Sequence, residues 1–424
     1  MGAIARALLA VRMSRRGDRD SFAAITAFQS QRLKELTTHA YENVPFYRRK
    51  FNAVGLEPRH IRGVGDLHLI PITSREELQQ SPVADIVARG TNPRNLLLHK
   101  TSGTTGEPMV VRRTWLEERA LGTLRALDLT AYGIRASDRI VSLVRGESEV
   151  RRRDRVILSA SRATGRFTSE GVSFYLPPDE LLNTLVRMKP DVIAGYASVL
   201  ARLAEFISAS GDCRLRPRVV ISGAEILTPP MARLIENALG ARLYDKYGSN
   251  EFGRIASQCP EGSQYHVCDT GVIAEALRDG QAVAPGDDGD MVGTALHSFA
   301  MPFIRYRLDD TINAGTTQCD CGRRAHTLRS IRGRSHEYFE LPDGRRVHFY
   351  ELRATFYDMS FRWMRHYRFD QDSPNRIVLR VVPSLPPAEH ELEAIRERVR
   401  MIIGAGAHFG IELCDALPMT DDRS

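Results

Sequence analysis

The chain has 424 residues, and its 59 Lys and Arg against 52 Asp and Glu give a formal net charge of +7. This length allows two or three domains and excludes a peptide or a disulfide-stapled mini-domain, while 42% hydrophobic residues exclude a wholly disordered chain. No apolar run approaches the ~18 residues that span a bilayer, so we expect a cytoplasmic protein without a membrane partner. The basic residues are dispersed, so no nucleic-acid partner is expected either.

The predicted secondary structure alternates helices with strands. Apolar residues between Phe22 and Leu36 recur at mostly three-to-four spacing, which predicts a helix that ends near Pro45. β-rich runs follow at residues 139–144, 191–194 and 218–222, and the last two end in small-residue turns that precede helical patterns. This alternation is typical of an α/β fold, in which ligands bind at the carboxyl ends of strands.

The composition changes after Gly333. The pattern predicts a turn at residues 342–344, strands near 363–369 and 376–382, a helix from Glu389 to about residue 402, and a last strand near 410–414. We therefore predict two domains, one of residues 1–332 and a smaller αβ domain of residues 333–424.

Residues 101–108 form a loop rich in hydroxyls and glycine. Its six candidate phosphate-binding residues are Thr101, Ser102, Gly103, Thr104, Thr105 and Gly106. Inward-turned backbone NH groups and hydroxyl donors suit phosphate oxygens. This loop differs from that of P-loop proteins, because no lysine follows the second glycine. An ordinary surface turn is the alternative interpretation.

Four residues have the chemistry of a structural zinc site: Cys259, His266, Cys319 and Cys321. Their spacing departs from Cys-x-x-Cys, and Cys268 is the alternative ligand. The competing interpretation is that the cysteines are buried small apolar residues and the histidine is hydrogen-bonded in the core.

Four ordered motifs resemble those of the adenylate-forming enzymes, in particular the phenylacetate-CoA ligase branch. Residues 101–108 are similar to the phosphate loop of that superfamily, with Glu107 in place of the usual lysine, and residues 247–253 resemble its Tyr-Gly-x-Thr-Glu-x-Gly motif. Residues 302–310 resemble Pro-x-Ile-Arg-Tyr-Arg-Thr-Gly-Asp, and residues 331–335 resemble the Gly-Arg hinge.

The resemblance implies an α/β fold with a large multi-sheet N-terminal domain that binds ATP and the acyl group, and a small mobile C-terminal lid domain. It implies an ATP- and Mg²⁺-dependent ligase that activates an aryl or arylacetic acid as acyl-AMP and transfers it to CoA. It also adds support to the zinc site, because some members of the branch carry a similar arrangement of cysteines and histidine.

The same resemblance implies a role for each motif residue. Glu251 ligates Mg²⁺, and Tyr247 and Gly248 lie against the adenine. Asp310 accepts hydrogen bonds from the ribose hydroxyls, and Arg334 approaches the ribose or the α-phosphate. The remaining matches are Gly223, Ala224 and Glu225 in the adenine segment, and Tyr196 and Ser198 in the acyl-binding region.

The sequence departs from the family near its C terminus. The family has a near-terminal catalytic lysine, whereas no lysine follows Lys246 here and Arg423 stands at the matching place. His336 stands where the hinge commonly has aspartate. Two further hypotheses are therefore open: a ligase that transfers the acyl group to an amine, and a degenerate relative that binds a nucleotide without turnover. A homodimer is a further expectation.

Overall fold

The structure is a computed structural model that describes residues 22–100, 109–135, 137–144, 169–334, 338–349, 352, 363–373, 375–404 and 406–417. In these ranges the helices are α1 (Phe22–Asn43), α2 (Pro45–Ala53), α3 (Arg75–Gln80), α4 (Val83–Ile86), α5 (Trp115–Ala131), α6 (Pro178–Met188), α7 (Ala197–Ser210), α8 (Pro229–Leu239) and α9 (Glu389–Ile403).

The strands are β1 (Leu97–Lys100), β2 (Val110–Arg113), β3 (Ile140–Val144), β4 (Ser169–Ser173), β5 (Val192–Tyr196), β6 (Val219–Gly223), β7 (Arg242–Ser249), β8 (Gly253–Gln258), β9 (Tyr265–Val267), β10 (Val272–Arg278), β11 (Gln281–Ala282), β12 (Asp288–Ala295), β13 (Tyr306–Ala314), β14 (Thr327–Arg334), β15 (Tyr338–Glu340), β16 (Arg346–His348), β17 (Met364–Ser373), β18 (Arg376–Pro383) and β19 (His408–Leu413). Both helices and strands are abundant, as the sequence predicts.

The chain divides into two compact units. The first comprises Met1–Arg135 and Tyr244–Gly333, and the second comprises Ala136–Leu243 and Arg334–Ser424. One of the divisions falls between Gly333 and Arg334, next to the domain boundary inferred from composition. The two-domain assignment itself stays a prediction.

The first unit is built on antiparallel strands covered by the N-terminal helices. Its strands follow the order β11-β10-β12-β13-β14-β9-β8-β7, and β1 pairs separately with β2. Helix α1 buries Phe28, Leu33 and Leu36 against this unit's core, which confirms the predicted helix. It ends at Asn43 because Pro45 begins α2, and the residue before a proline is held extended.

The second unit contains a parallel sheet with the order β6-β5-β3-β4. Val192 of β5 pairs with Val219 of β6 and Ile140 of β3, and β3 pairs in parallel with β4. Helix α7 connects β5 to β6, and it buries Leu200, Leu203 and other apolar residues. The three predicted β-rich runs are thus confirmed as neighbouring parallel strands, whose carboxyl ends lie at one edge.

Residues 338–417 of the second unit have an apolar core of their own. Strand β17 pairs antiparallel with β18, and β18 pairs in parallel with β19. Helix α9 buries Ile395 and Val399 in the same cluster as Phe369, Leu379 and Phe409. The predicted turn, strands and helix of this segment are confirmed. No helix in the described ranges combines the length and apolarity needed to cross a bilayer.

Candidate nucleotide site and Cys/His cluster

A tight hairpin between β7 and β8 carries Glu251. A side chain at Gly248 would place its Cβ 2.3 Å from the carbonyl oxygen of Gly253, so only glycine fits there. Gly253 itself has a φ of 71°, in the left-handed region that favours glycine. Phe252 NH donates to Ser249 Oγ at 3.2 Å, which closes the turn. The two glycines of the sequence motif, Gly248 and Gly253, are therefore required by the backbone at this hairpin.

The hairpin brings three motif residues to the neighbourhood of β13. The Tyr247 hydroxyl donates to Asp310 Oδ2 at 2.6 Å, although the two residues lie 63 positions apart. Glu251 is buried, with 3% exposure. Burial raises the pKa of Tyr306, and the negative charge of Glu251 raises it further. The structure thus joins Tyr247 to Asp310 and places the charge of the buried Glu251 near Tyr306 of the same strand. The roles of these residues in nucleotide binding stay predictions.

Arg305 fixes the chain where it enters β13. Its guanidinium donates to both carboxylate oxygens of Glu275, at 2.9 and 3.0 Å, and to the carbonyl oxygen of Ile70 at 2.7 Å. Thr73 NH donates to the Arg305 carbonyl oxygen at 2.8 Å. Arg305 has a φ of 42°, so these contacts hold a strained backbone. They orient the strand that carries Asp310.

The start of α5 is tied to two other parts of the first unit. Glu117 accepts hydrogen bonds from the NH groups of Phe299 and Ala300 at 2.6 and 2.9 Å, just before the 302–310 motif. Its other carboxylate oxygen accepts from Thr114 NH at 2.7 Å, which caps the helix. The Thr-x-x-Glu spacing is a recognisable signal for the start of a helix. Nothing in the sequence, however, predicts that the Glu117 side chain contacts residues 299–300.

Arg113, at the end of β2, contacts the Glu251 hairpin. Its guanidinium donates to the carbonyl oxygen of Asn250 and lies 3.4 Å from Glu118 Oε2. Glu118 also lies 3.2 Å from His99 Nε2 and 3.8 Å from Arg125. The close contact with the His99 ring, with the positive charges of Arg125 and Arg113, lowers the pKa of Glu118 to about 2. Sequence analysis missed this cluster, because its members are separated in the chain and match no motif.

In the second unit, the adenine-segment and acyl-segment candidates lie at one edge of the parallel sheet. Tyr196 at the end of β5 is paired in register with Gly223 at the end of β6. Glu225 accepts a hydrogen bond from Ser198 NH at 2.8 Å, at the N-terminus of α7. Ala224 has a φ of 65°, which turns the chain sharply after β6. The two segments are therefore held together, as expected for strand-end loops.

The four predicted zinc ligands form one cluster in the first unit. Their ligand atoms all lie within 4.8 Å of one another, with Cys319 Sγ at 3.8 Å from Cys259 Sγ and Cys321 Sγ at 3.3 Å from His266 Nε2. Tetrahedral zinc with ordinary bond lengths needs sulfur pairs ~3.8 Å apart and sulfur–nitrogen pairs ~3.6 Å apart. The geometry therefore fits a zinc ion.

The local fold explains why the cluster forms. Thr327 of β14 pairs with His266 of β9, which brings the Cys319–Cys321 loop against the histidine. Burial is the main cause of a raised pKa at the Cys321 thiol, and the neighbouring thiols add to it. Together they raise this pKa to about 12. A bound cation reverses this effect by stabilising thiolates. Cys268, the alternative ligand, is instead buried beside Leu121 and Leu124.

The loop residues 101–108, which include Thr101 to Gly106, lie outside the described residues, as do His336 and Arg423. Arg334 forms the last position of β14. The proposed roles of these residues therefore stay predictions from the resemblance.

Comparison with known proteins gives clear similarities. No protein-family model matches the chain. A phenylacetate-coenzyme A ligase from Escherichia coli is 32% identical over 303 residues, which are 68% of this chain and 66% of that protein. One from Thermus thermophilus is 28% identical over 335 residues, covering 73% of this chain and 70% of that protein. The chain thus spans slightly less than two thirds of the length of the E. coli relative.

A solved structure shares the fold over nearly the whole chain. It is 2-hydroxyisobutyryl-CoA ligase in the postadenylation state in complex with 2-HIB-AMP, with a TM-score of 0.76 and 21% identity, covering 96% of this chain and 90% of that one. The fold, together with the motif residues, is that of an adenylate-forming enzyme. The chain belongs to the adenylate-forming superfamily, in its phenylacetate-CoA ligase-like branch.

Proposed function

We propose that the protein is an ATP-dependent ligase that activates a carboxylic acid as acyl-AMP and transfers the acyl group to CoA. The observation that carries this proposal is the assembly of Tyr247, Glu251 and Asp310 around the β7–β8 hairpin and β13. The relatives named phenylacetate-coenzyme A ligase support it and favour an aryl or arylacetic acid.

The first step requires an attacking carboxylate, an α-phosphorus and a leaving pyrophosphate to be aligned while negative charge is neutralised. Asp310 supplies carboxylate acceptors for the ribose hydroxyls, and the Tyr247 hydroxyl restrains its orientation through their hydrogen bond. Residues 101–106 are the proposed phosphate donors. Arg334 is the proposed contact of the ribose or α-phosphate from the hinge.

A magnesium ion fits the chemistry of Glu251, because a carboxylate oxygen is a preferred ligand of this hard cation. When bound, Mg²⁺ neutralises charge on the phosphates. The protein's own contribution is to hold the Glu251 carboxylate in a buried, tightly turned hairpin. Magnesium dependence is therefore part of the proposal.

We also propose that Cys259, His266, Cys319 and Cys321 bind a structural zinc ion. Four protein ligands complete a tetrahedron, which leaves no position for substrate. Cys259 follows the Glu251 hairpin through β8, and Cys319 follows Asp310 through β13. Zinc at this cluster would therefore join the chain segments that follow Glu251 and Asp310, without taking part in the reaction.

The direct test is pyrophosphate exchange into ATP across a panel of aryl, arylacetic, fatty and amino acids. We expect exchange that depends on an aryl or arylacetic acid and on Mg²⁺, followed by thioester formation when CoA is added. Exchange without thioester formation, but with product formed from an added amine, would replace CoA by an amine acceptor. ATP binding without exchange for any acid would refute the ligase and favour a nucleotide-binding relative without turnover.

The hypothesis of a nucleotide-binding relative without turnover has a specific basis in the sequence. Arg423 stands where the family has its near-terminal lysine, and a planar guanidinium does not replace a compact ammonium at a point-charge site. Arg423→Lys separates the hypotheses. A rise in exchange rate would mean that arginine limits adenylation, whereas an inactive wild type made active by lysine would identify a chain that has lost turnover.

A further inference from the structure

The β1–β2 strand pair is connected to the Glu251 hairpin by a charged cluster centred on a buried arginine. Arg113, at the end of β2, has a side chain only 2% exposed, and its guanidinium spans the Glu118 carboxylate and the carbonyl oxygen of Asn250. His99, on β1, contacts the same carboxylate. The cluster therefore joins both strands that flank residues 101–108 to the residue immediately before Glu251.

Burying this arginine is costly, and its location indicates a specific use. Desolvation lowers the pKa of Arg113, and the negative charge of Glu118 opposes that effect. The Nε atom of Arg113 is buried without a hydrogen-bond partner among the described residues, so the side chain is not optimised for stability alone. Its terminal NH group is directed instead at the backbone of the Glu251 hairpin.

We propose that Arg113 is a positioning residue that fixes the Glu251 carboxylate for Mg²⁺·ATP, with Glu118 holding the guanidinium in place. The proposal rests on the proposed function, because that function assigns the metal to Glu251. A guanidinium is suited to the task, since its planar fork bonds two acceptors at once in fixed directions. A lysine at the same position keeps the charge near Glu118 but has no rigid fork to orient the hairpin.

The test compares Arg113→Lys with Arg112→Lys, a matched change one position earlier on β2. Arg112 is partly buried and donates to the carbonyl oxygen of Val110 in its own strand. ATP binding is measured by calorimetry with Mg²⁺ and with EDTA, so no turnover is needed. Removing groups that orient a metal ligand typically costs about 10- to 100-fold in metal affinity or activity.

We expect Arg113→Lys to lose affinity in that range with Mg²⁺ present and to bind metal-free ATP as the wild type does. Arg112→Lys should match the wild type in both conditions. Unchanged Mg²⁺·ATP affinity in Arg113→Lys, or an equal loss with and without Mg²⁺, would overturn the proposal.

Two further measurements keep the result interpretable. If Arg113→Lys does not fold, Glu118→Gln is measured in its place. Glu118→Gln should lose affinity for ATP only when Mg²⁺ is present, and a variant without this selective loss would overturn the proposal. Pyrophosphate exchange by the wild type is measured in parallel. A wild type that binds Mg²⁺·ATP without exchange refutes the ligase function, whereas the Arg113 proposal is still decided by the binding data.

Discussion

Replacing Tyr247 by phenylalanine tests the central contact of the candidate nucleotide site. The substitution removes the hydroxyl that donates to Asp310 Oδ2 at 2.6 Å and leaves the ring in its buried position. A hydrogen bond to a charged group contributes about 1.5–3 kcal/mol, which corresponds to roughly a 10- to 150-fold change in affinity. We expect ATP affinity to fall within this range, because the carboxylate loses the group that orients it towards the ribose.

Tyr265→Phe provides a matched control. The Tyr265 hydroxyl donates to Asp245 Oδ2 at 2.8 Å, so the same kind of bond is lost on the neighbouring part of the sheet. Calorimetric titration with ATP should show near-wild-type affinity in this variant, with the loss appearing only as a lower unfolding free energy. Wild-type or tighter ATP binding by Tyr247→Phe would refute the reasoning, since it would mean that the hydroxyl is neutral or competes with the ribose.

The other contacts give three further predictions. Purified protein should contain about one zinc per chain by metal analysis, and Cys319→Ser should lose it while the exposed-thiol control Cys213→Ser keeps it; metal-free wild type of full stability would exclude the zinc proposal. Glu117→Ala leaves two buried NH groups without their acceptor and removes a helix cap, so denaturant titration should show a loss of about 2–5 kcal/mol; a loss below 1 kcal/mol would contradict the burial argument. The pKa of Glu118 is lowered from 4.5 to about 2, so its stabilising contribution is present above pH 4.5 and is lost as the pH falls towards 2. The difference in unfolding free energy between wild type and Glu118→Gln should therefore shrink between pH 6 and about pH 2–3. A difference that stays constant over this range would contradict the assignment.

Local sequence signals predicted much of the fold. The β-branched runs at β3, β5 and β6 were identified because strands buried on both faces read as continuous apolar segments. The proline after Asn43 marked the end of α1 but also began α2, since a proline is favoured in the first turn of a helix. Such features depend on residues a few positions apart, and a single sequence contains them.

The candidate site depends on contacts that local signals do not contain. The zinc ligand set was predicted from residue type, whereas its geometry comes from the pairing of β9 with β14. The Tyr247 to Asp310 bond joins residues 63 positions apart, and the Arg113 to Asn250 bond joins residues 137 apart. Arg113 is an unremarkable strand residue in the sequence. Its role follows only from the tertiary position of the carbonyl oxygen it meets.

The Cys/His cluster also has a consequence for chain entropy. Cys259 and Cys319 lie 60 positions apart with their sulfur atoms 3.8 Å from each other. A metal ion bound to both residues in the native state closes a loop of the chain. This loop contains β9 to β13 and therefore Asp310. If the link persisted on unfolding, the loop-closure relation for 60 residues would give about 4 kcal/mol of stabilisation. Cleavage at the exposed turn at Asp279 and Gly280 would then leave two fragments joined through the metal, so the segment that carries Asp310 would stay attached to the Glu251 hairpin after its backbone is cut.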